Sequence, residues 1–403
     1  MLFIFAFISC SQEESTFQYF TEAVDFQRYP SPHIIEIPDS LIDKSGIPFL
    51  QSEKTEKLFP LQRLTANQWV FISDTLPTGE SDVYALRFSP EEPDSEVVIS
   101  QKNGQLTVHV DNRSVLTYQM ETIYPPEGFP QYYQRGGYIH PAYSPGGEII
   151  TDGFPLGHMH QHGIFFAWVN TLFQGRDTDF WNQQDETGTV LFDSLISVVQ
   201  GPVYGEFVSS QTAVAFNGQD TIKVLAERWN VKVYNVADYF VWDIQVQQEN
   251  ISDEVLQILP YHYGGMAFRG SSQWNDTTAV AGVELAGPGQ GGFLTSDGYG
   301  RKGNHTNPAW VSMFGAVDGS PVNLTVMGSD QNYRVPQYVR IHPTMPYFCF
   351  TPVVEYGFDF NPGDIYKATY RVFTFEGDPD VSTLNSLWKQ YQTRRTIDKS
   401  NPI

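Results

Sequence analysis

Long runs of alternating or continuously apolar residues, punctuated by Gly, Pro, Asn and Asp, constrain this chain more than any other feature. Thr189–Val199, Thr221–Asn235, Tyr239–Glu249, Tyr347–Phe360 and Tyr366–Glu376 each extend for more than ten residues. Trp69–Ser73, Val83–Phe88, Glu96–Ser100, Gln105–Asp111, Val115–Met120, Val203–Ser209, Val255–Tyr263 and Val322–Gly328 are similar but shorter. A period of two sends successive side chains to opposite faces, so these segments read as strands bounded by turns. Helical spacing is confined to Val381–Arg395, where Leu384, Leu387, Trp388 and Tyr391 fall on one side. The expected fold is all-β, a large antiparallel β-sandwich with one C-terminal helix. Within Gln105–Val110 the alternation turns His109 away from the core.

Three segments are expected: a signal over 1–10, a tether and entry segment over 11–60 containing Pro30, Pro32, Pro38 and Pro48, and one large β-sandwich domain over 61–395. The apolar opening run ends at Phe7-Ile8-Ser9-Cys10, is too short to span a bilayer, and resembles a bacterial lipobox. Cys10 would then carry the lipid, and Ser11-Gln12-Glu13-Glu14 resembles an acidic surface-export tag. The expectation is an outer-membrane or cell-surface lipoprotein, otherwise a periplasmic protein, that touches membrane only through its anchor. Cys349, in Tyr347-Phe-Cys-Phe350, reads as a buried small hydrophobe. The net charge of -22 argues against nucleic acid as a partner, because phosphate binding needs a basic footprint. It leaves room for an anionic sugar, since a few local Arg and His residues can reverse the field in a pocket.

The candidate site is the stretch Tyr138–Trp168, which holds four of the nine histidines: His140, His158, His160 and His162. The last three alternate with Met159 and Gln161 between Gly157 and Gly163. A strand would put those three on one face, an arrangement suited to a transition metal, whereas the flanking glycines suit a loop equally well. No carboxylate stands at a recognised metal-ligand spacing beside them, and no cofactor is expected. The second reading is acid–base chemistry on a uronate, whose C5 proton is acidic because it lies α to a carboxylate. His140, His158, His160, His262, Arg269, Arg301 and His305 supply the residue types it needs. Arg340-Ile-His342-Pro343 forms another polar group beside a strand. Nucleophile-elbow, P-loop and dinucleotide motifs are not found.

Tyr138-Ile-His-Pro141, Pro145-Gly-Gly147, Asp152-Gly-Phe-Pro155, His158-x-His160, Gly163-Ile-Phe-Phe166, Asp179-Phe-Trp181, Gly264-Gly-Met-Ala-Phe-Arg269 and Tyr370-Arg-Val372 resemble, in the same order, the PmoA-like family of secreted bacterial proteins. The resemblance spans about 100–380. It implies a soluble galactose-mutarotase-like supersandwich, not the membrane methane monooxygenase, and a part in polysaccharide breakdown. The family's D-H-P-H-H-R-G pattern keeps His158 and His160 here, but His162 stands where an arginine is usual. The resulting expectation is a lyase of the dehydratase type that removes water from a terminal uronic acid of an acidic oligosaccharide. His158 and His160 would serve as base and acid, with His140 assisting. Arg269, Arg301, His162, His262 and His305 would bind substrate, and Trp168 or Trp181 would stack on the sugar. A lyase or hydrolase cutting the glycosidic bond, a non-catalytic glycan-binding lipoprotein and a metal-dependent oxygenase are the alternatives.

Overall fold

The computed structural model describes residues 18–42, 46–91, 93, 95–218, 220–275, 279–280, 283–284 and 291–397. Cys10 and the expected signal therefore lie outside the described residues. Contacts divide the chain into two units at residues 94 and 95.

The first unit corrects the expectation of a tether before residue 61. Gln18–Thr21, Asp82–Ser89, Ile47–Ser52 and Leu58–Pro60 form a four-stranded sheet, and Ser31–Glu36, Gln68–Ser73 and Gln62–Arg63 a three-stranded one. Ile37, Leu50, Phe71 and Tyr84 close their own small core. The prolines that suggested a tether are compatible with this sheet. Pro32 sits in Ser31–Glu36, an edge strand, where a missing N–H breaks no interior ladder.

The second unit is the predicted antiparallel β-sandwich, built on two eight-stranded sheets. The first runs Tyr338–Ile341, Tyr347–Thr351, Gly265–Arg269, Ile164–Ala167, Ile139–Ala142, Arg113–Gln119, Gln105–Val110, Val97–Lys102. The second runs Gly188–Val199, Tyr204–Asn217, Asp220–Tyr234, Phe240–Asn250, Ile365–Glu376, Ser320–Gly328, Trp310–Val317, Gly292–Thr295. Two expected strands are shorter than their apolar runs. Val255–Tyr263 pairs only over Leu256–Ile258, and Tyr347–Phe360 splits into Tyr347–Thr351 and Phe358–Phe360. Pro260 and Pro352 lack the N–H a ladder needs, and each lies just beyond a break. His109 bonds Ser100 and Ser114 while Val108 and Val110 are fully buried, as the alternation required.

Register decides what each face of the first sheet carries. Phe268 opposes Phe348, which opposes Ile341, and Phe166 opposes Met266, which opposes Phe350. Directly opposed residues share a face. These rings turn toward the second sheet, where Phe348 meets Phe293 at 6.1 Å, Phe350 meets Tyr370 at 5.3 Å and Phe166 meets Tyr366 at 5.8 Å. The alternate set, Phe165, Ala267, Arg269, Tyr347, Cys349 and Arg340, therefore occupies the face turned away from that core. His140 follows the paired residue Ile139, opposite Ile164, and joins this outer set.

Between the sheets lies a buried polar chain. The Trp168 indole N–H donates to Gln248 Oε1 at 2.7 Å, and Gln248 Nε2 and Trp229 Nε1 donate to Glu227, both at 2.6 Å. Burial lifts the Glu227 carboxyl to about 7 despite those donors. The helix spans Val381–Ile397, with Leu384, Leu387 and Tyr391 buried and Asp380 accepting from the backbone N–H groups of Ser382 and Thr383. Among the described residues no helix is long and apolar enough to cross a membrane.

Candidate active site

The histidine stretch is a loop, so the co-facial i, i+2, i+4 arrangement does not form. His158 N–H bonds Pro155 O at 3.0 Å and Gln161 N–H bonds His158 O at 2.9 Å, making two successive turns before the Ile164–Ala167 strand. Gly163 makes the entry into that strand possible. Its φ is +59°, and a Cβ there would stand 2.3 Å from the Ile139 carbonyl oxygen and 3.0 Å from His140 Cβ. Gly163→Ala should cost about 2 kcal/mol or more, from left-handed strain plus this collision. A denaturant midpoint unchanged from the parent would contradict the close approach.

The turns split the three histidines. His162 points inward and is fully buried, with Nδ1 3.2 Å from Gly153 O and Nε2 2.6 Å from Gln183 Oε1. It anchors the loop and is not a substrate ligand. His158 and His160 turn together instead, their ring centroids 5.8 Å apart, and His158 meets His342 edge-on at 5.4 Å. His342, read from the sequence only as part of a polar group beside a strand, completes the cluster because the Tyr338–Ile341 strand ends beside the loop. Its Nδ1 accepts the backbone N–H groups of Thr344, at 3.2 Å, and Met345, at 2.9 Å. That fixes the tautomer, leaving Nε2 as the N–H that can donate. His158 Nδ1 is buried with no hydrogen-bond partner among the described residues.

Burial, then the positive charges nearby, keeps these rings neutral at pH 7. His160 falls to about 3 through burial, then His158 and Arg269. His342 falls to about 3 through burial, then His158, Arg340, Arg269 and Arg301. His158 is lowered by burial and by Arg269. His140 falls to about 4 by burial alone. It is tied to Thr151 Oγ1 at 2.9 Å and packs on Gly153, so it stands by itself and not in the three-ring contact. Unfolded histidines bind protons that these folded ones refuse between about pH 6.5 and the lowered values. Stability should therefore be full above pH 6.5 and drain as pH falls toward 4 and 3. Thermal midpoints across that range check it, and a flat profile would contradict neutral burial.

Neither tryptophan is available for stacking. Trp168 is 1% and Trp181 2% exposed, the latter packed on Phe165, Tyr263 and Tyr347. Arg269 is also 1% exposed, and its fork holds Gln161 Oε1 at 3.2 Å and Asn275 Oδ1 at 3.1 Å. It supports the loop from beneath, and its charge is felt by His158 and His160, but it does not reach solvent. Beside it, burial raises the Asp152 carboxyl while Arg269 and the backbone N–H groups of Phe154 and Gly153 pull the other way. Arg301 Nη1 donates to His342 O at 2.6 Å and Met345 O at 2.8 Å, bracing the His342 segment.

A second group surrounds Tyr263, and Arg340 joins it to the first, its charge acting on His342 as well as on His262 and His305. The His262 ring lies between Tyr261, at 4.2 Å, and Tyr263, at 4.7 Å, and is 6.3 Å from His305. The Arg340 guanidinium covers the Tyr263 ring at 5.0 Å. Of the expected residues, then, the structure brings His158 and His160 together, places His262 and His305 in the neighbouring group, and moves Arg269, His162, Trp168 and Trp181 into supporting roles. Among the described residues no group of three His, Cys, Asp or Glu side chains is arranged to hold a metal ion. A cavity of about 420 Å³, lined by Asp297, Asn307, Asp330, Phe350 and Trp388 among others, contains no histidine.

A family model described as DUF6807, a family of unknown function, matches residues 105–389. The chain belongs to this family. The DUF6807 match takes in both histidine groups and most of the two large sheets, and leaves out the first unit. No curated protein matches the chain. Among solved structures it is similar to an alpha-mannosidase from Enterococcus faecalis V583, at 9% identity and a TM-score of 0.41, over 93% of this chain and 45% of the other. The chain thus spans less than half the length of that enzyme.

Proposed function

We propose that this DUF6807 protein is a carbohydrate-active lyase working by imidazole acid–base chemistry, in its leading form a dehydratase acting on a terminal uronic acid of an oligosaccharide. The observation that carries the reading is the contact of His158 with both His160 and His342, three neutral rings acted on by arginines. A neutral imidazole can accept the C5 proton of a uronate, and nearby positive charge stabilises the enolate-like anion that results. The electron pair then forms the C4–C5 double bond, the C4–O bond breaks, and the departing oxygen leaves as water after taking a proton. His158 is the base best placed by geometry, being central and having a buried nitrogen without a partner among the described residues. His160 is the acid, charged once an anionic substrate offsets the burial and the neighbouring positive charge that keep it neutral. His342 donates through Nε2.

Hydrolysis of the glycosidic bond needs a pair of carboxylates across the scissile bond. The charges acting on these rings are arginines and one another, which favours elimination. The test is incubation with a panel of uronic-acid oligosaccharides, followed by the ultraviolet absorbance of the conjugated product and by mass spectrometry. New absorbance with loss of one water and unchanged chain length supports the dehydratase. Shortened unsaturated products mean a glycoside-cleaving lyase, and binding without any product means a glycan-binding protein.

A further inference from the structure

An acidic sugar needs a cation at the site, and most of the nearby arginines are already engaged. Arg269 is buried in its bonds to Gln161 and Asn275, Arg301 braces backbone carbonyls, and Arg334 donates to the carbonyls of Pro352, Tyr356 and Gly357. Arg340 differs. Its Nη1 bonds only uncharged oxygens, Asn304 Oδ1 at 3.1 Å and Ile341 O at 3.0 Å, and its Nε is buried without an acceptor among the described residues. No ion pair among the described residues involves it. Its guanidinium is therefore not paired with a carboxylate among the described residues.

The surroundings fit an anion on a sugar. His262 and His305 lie within electrostatic reach of Arg340, and the Tyr261, His262 and Tyr263 rings form a half-buried aromatic run. His305 is exposed and held at φ +62° by its N–H bond to Val339 O, 2.8 Å long. Arg340 lies in the Tyr338–Ile341 strand and His342 just past its end, and the charge of Arg340 acts on His342. Their backbone separation is about 7 Å at the rise of extended chain. That is the span of one sugar ring. A group held at Arg340 would thus leave the adjoining carbons over the three-histidine cluster.

We propose that Arg340, flanked by His262 and His305 and stacked on Tyr263, is the oxyanion-recognition subsite of this protein, taking the carboxylate or sulfate ester of an acidic sugar. The inference rests on the acidic-sugar reading above and names the residue that selects for charge. Arg340 is a specificity residue here, and the imidazole cluster holds the chemistry.

Equilibrium binding should be measured for the parent, Arg340→Gln, Arg340→Lys and the exposed-site variant His305→Ala. The ligands are a uronic-acid oligosaccharide, its methyl ester, and a sulfated uronate-free oligosaccharide. Arg340→Gln is expected to weaken the free acid tenfold to a hundredfold, the scale of a lost charge-assisted hydrogen bond. It should leave the methyl ester unchanged, with Arg340→Lys intermediate and His305→Ala weakened severalfold. A loss confined to the uronate identifies a carboxylate subsite, and one confined to the sulfated ligand a sulfate subsite. Arg340→Gln binding both the free acid and the sulfated ligand as the parent does overturns the inference while leaving the elimination reading standing. Equal loss on acid and ester also overturns it, because charge is then not what Arg340 reads. If the parent binds no acidic oligosaccharide, both readings fall. Should Arg340→Gln not fold, His305→Ala and the parent's preference for acid over ester decide alone, and absence of both effects overturns the subsite.

Discussion

His158→Gln is expected to lower turnover of an acidic oligosaccharide by about 10²- to 10⁴-fold, the usual worth of a positioned general base. Substrate binding should be largely retained. His158 touches both partner rings and carries a buried nitrogen without a partner among the described residues, so its removal deletes the proton acceptor and leaves the arginines in place. His342→Gln should cost less, because its Nδ1 is committed to two backbone N–H groups and only its Nε2–H faces the chemistry. The measurement is single-turnover kinetics beside equilibrium binding for both variants. A glycan-binding protein would instead lose affinity in modest steps and show no turnover to lose. His158→Gln with parental turnover would remove His158 from the mechanism and shift the base to His160.

Trp168→Ala should destabilise the protein by about 3–5 kcal/mol without changing the KM of the molecules that remain folded. The side chain is 1% exposed, packs on Phe166, Phe358 and Tyr366, and its N–H satisfies Gln248 in the chain that ends on Glu227. Truncation empties a volume the sheets cannot easily close around, and it leaves Gln248 Oε1 buried without its donor. Denaturant unfolding and KM on one preparation separate a core role from a stacking role. A raised KM with unchanged stability would restore Trp168 to the sugar site.

Much of this organisation could be read from residues alone, and the reason is periodicity. Alternation over Gln105–Val110 and the long runs at Thr221–Asn235 and Tyr366–Glu376 specify strands, because a half-buried pleated surface needs a period of two. The small unit up to residue 94 escaped that reading, since Pro32 sits in an edge strand and Pro48 near the start of Ile47–Ser52, where the Leu58–Pro60 strand does not yet pair. His158 and His160 were legible as a pair. Their third partner was not, because His342 arrives from 182 positions later through strand order, which no local pattern encodes. Tryptophan beside a histidine cluster looks the same in sequence whether it lines a pocket or fills a core. The register of Ile164–Ala167 against Gly265–Arg269 helps decide which side chains of these strands face the other sheet and which face the site. Likewise Arg269 and Arg340 are equal as letters, yet one is enclosed on Gln161 and Asn275 while the other is only partly buried, over the Tyr263 ring and within reach of His262 and His305. The sequence by itself determined the sandwich and supplied the imidazoles, because local periodicity and residue type carry that information. Which imidazoles meet, and which cation is left to face a ligand, was decided by long-range strand pairing and by the burial that follows from it.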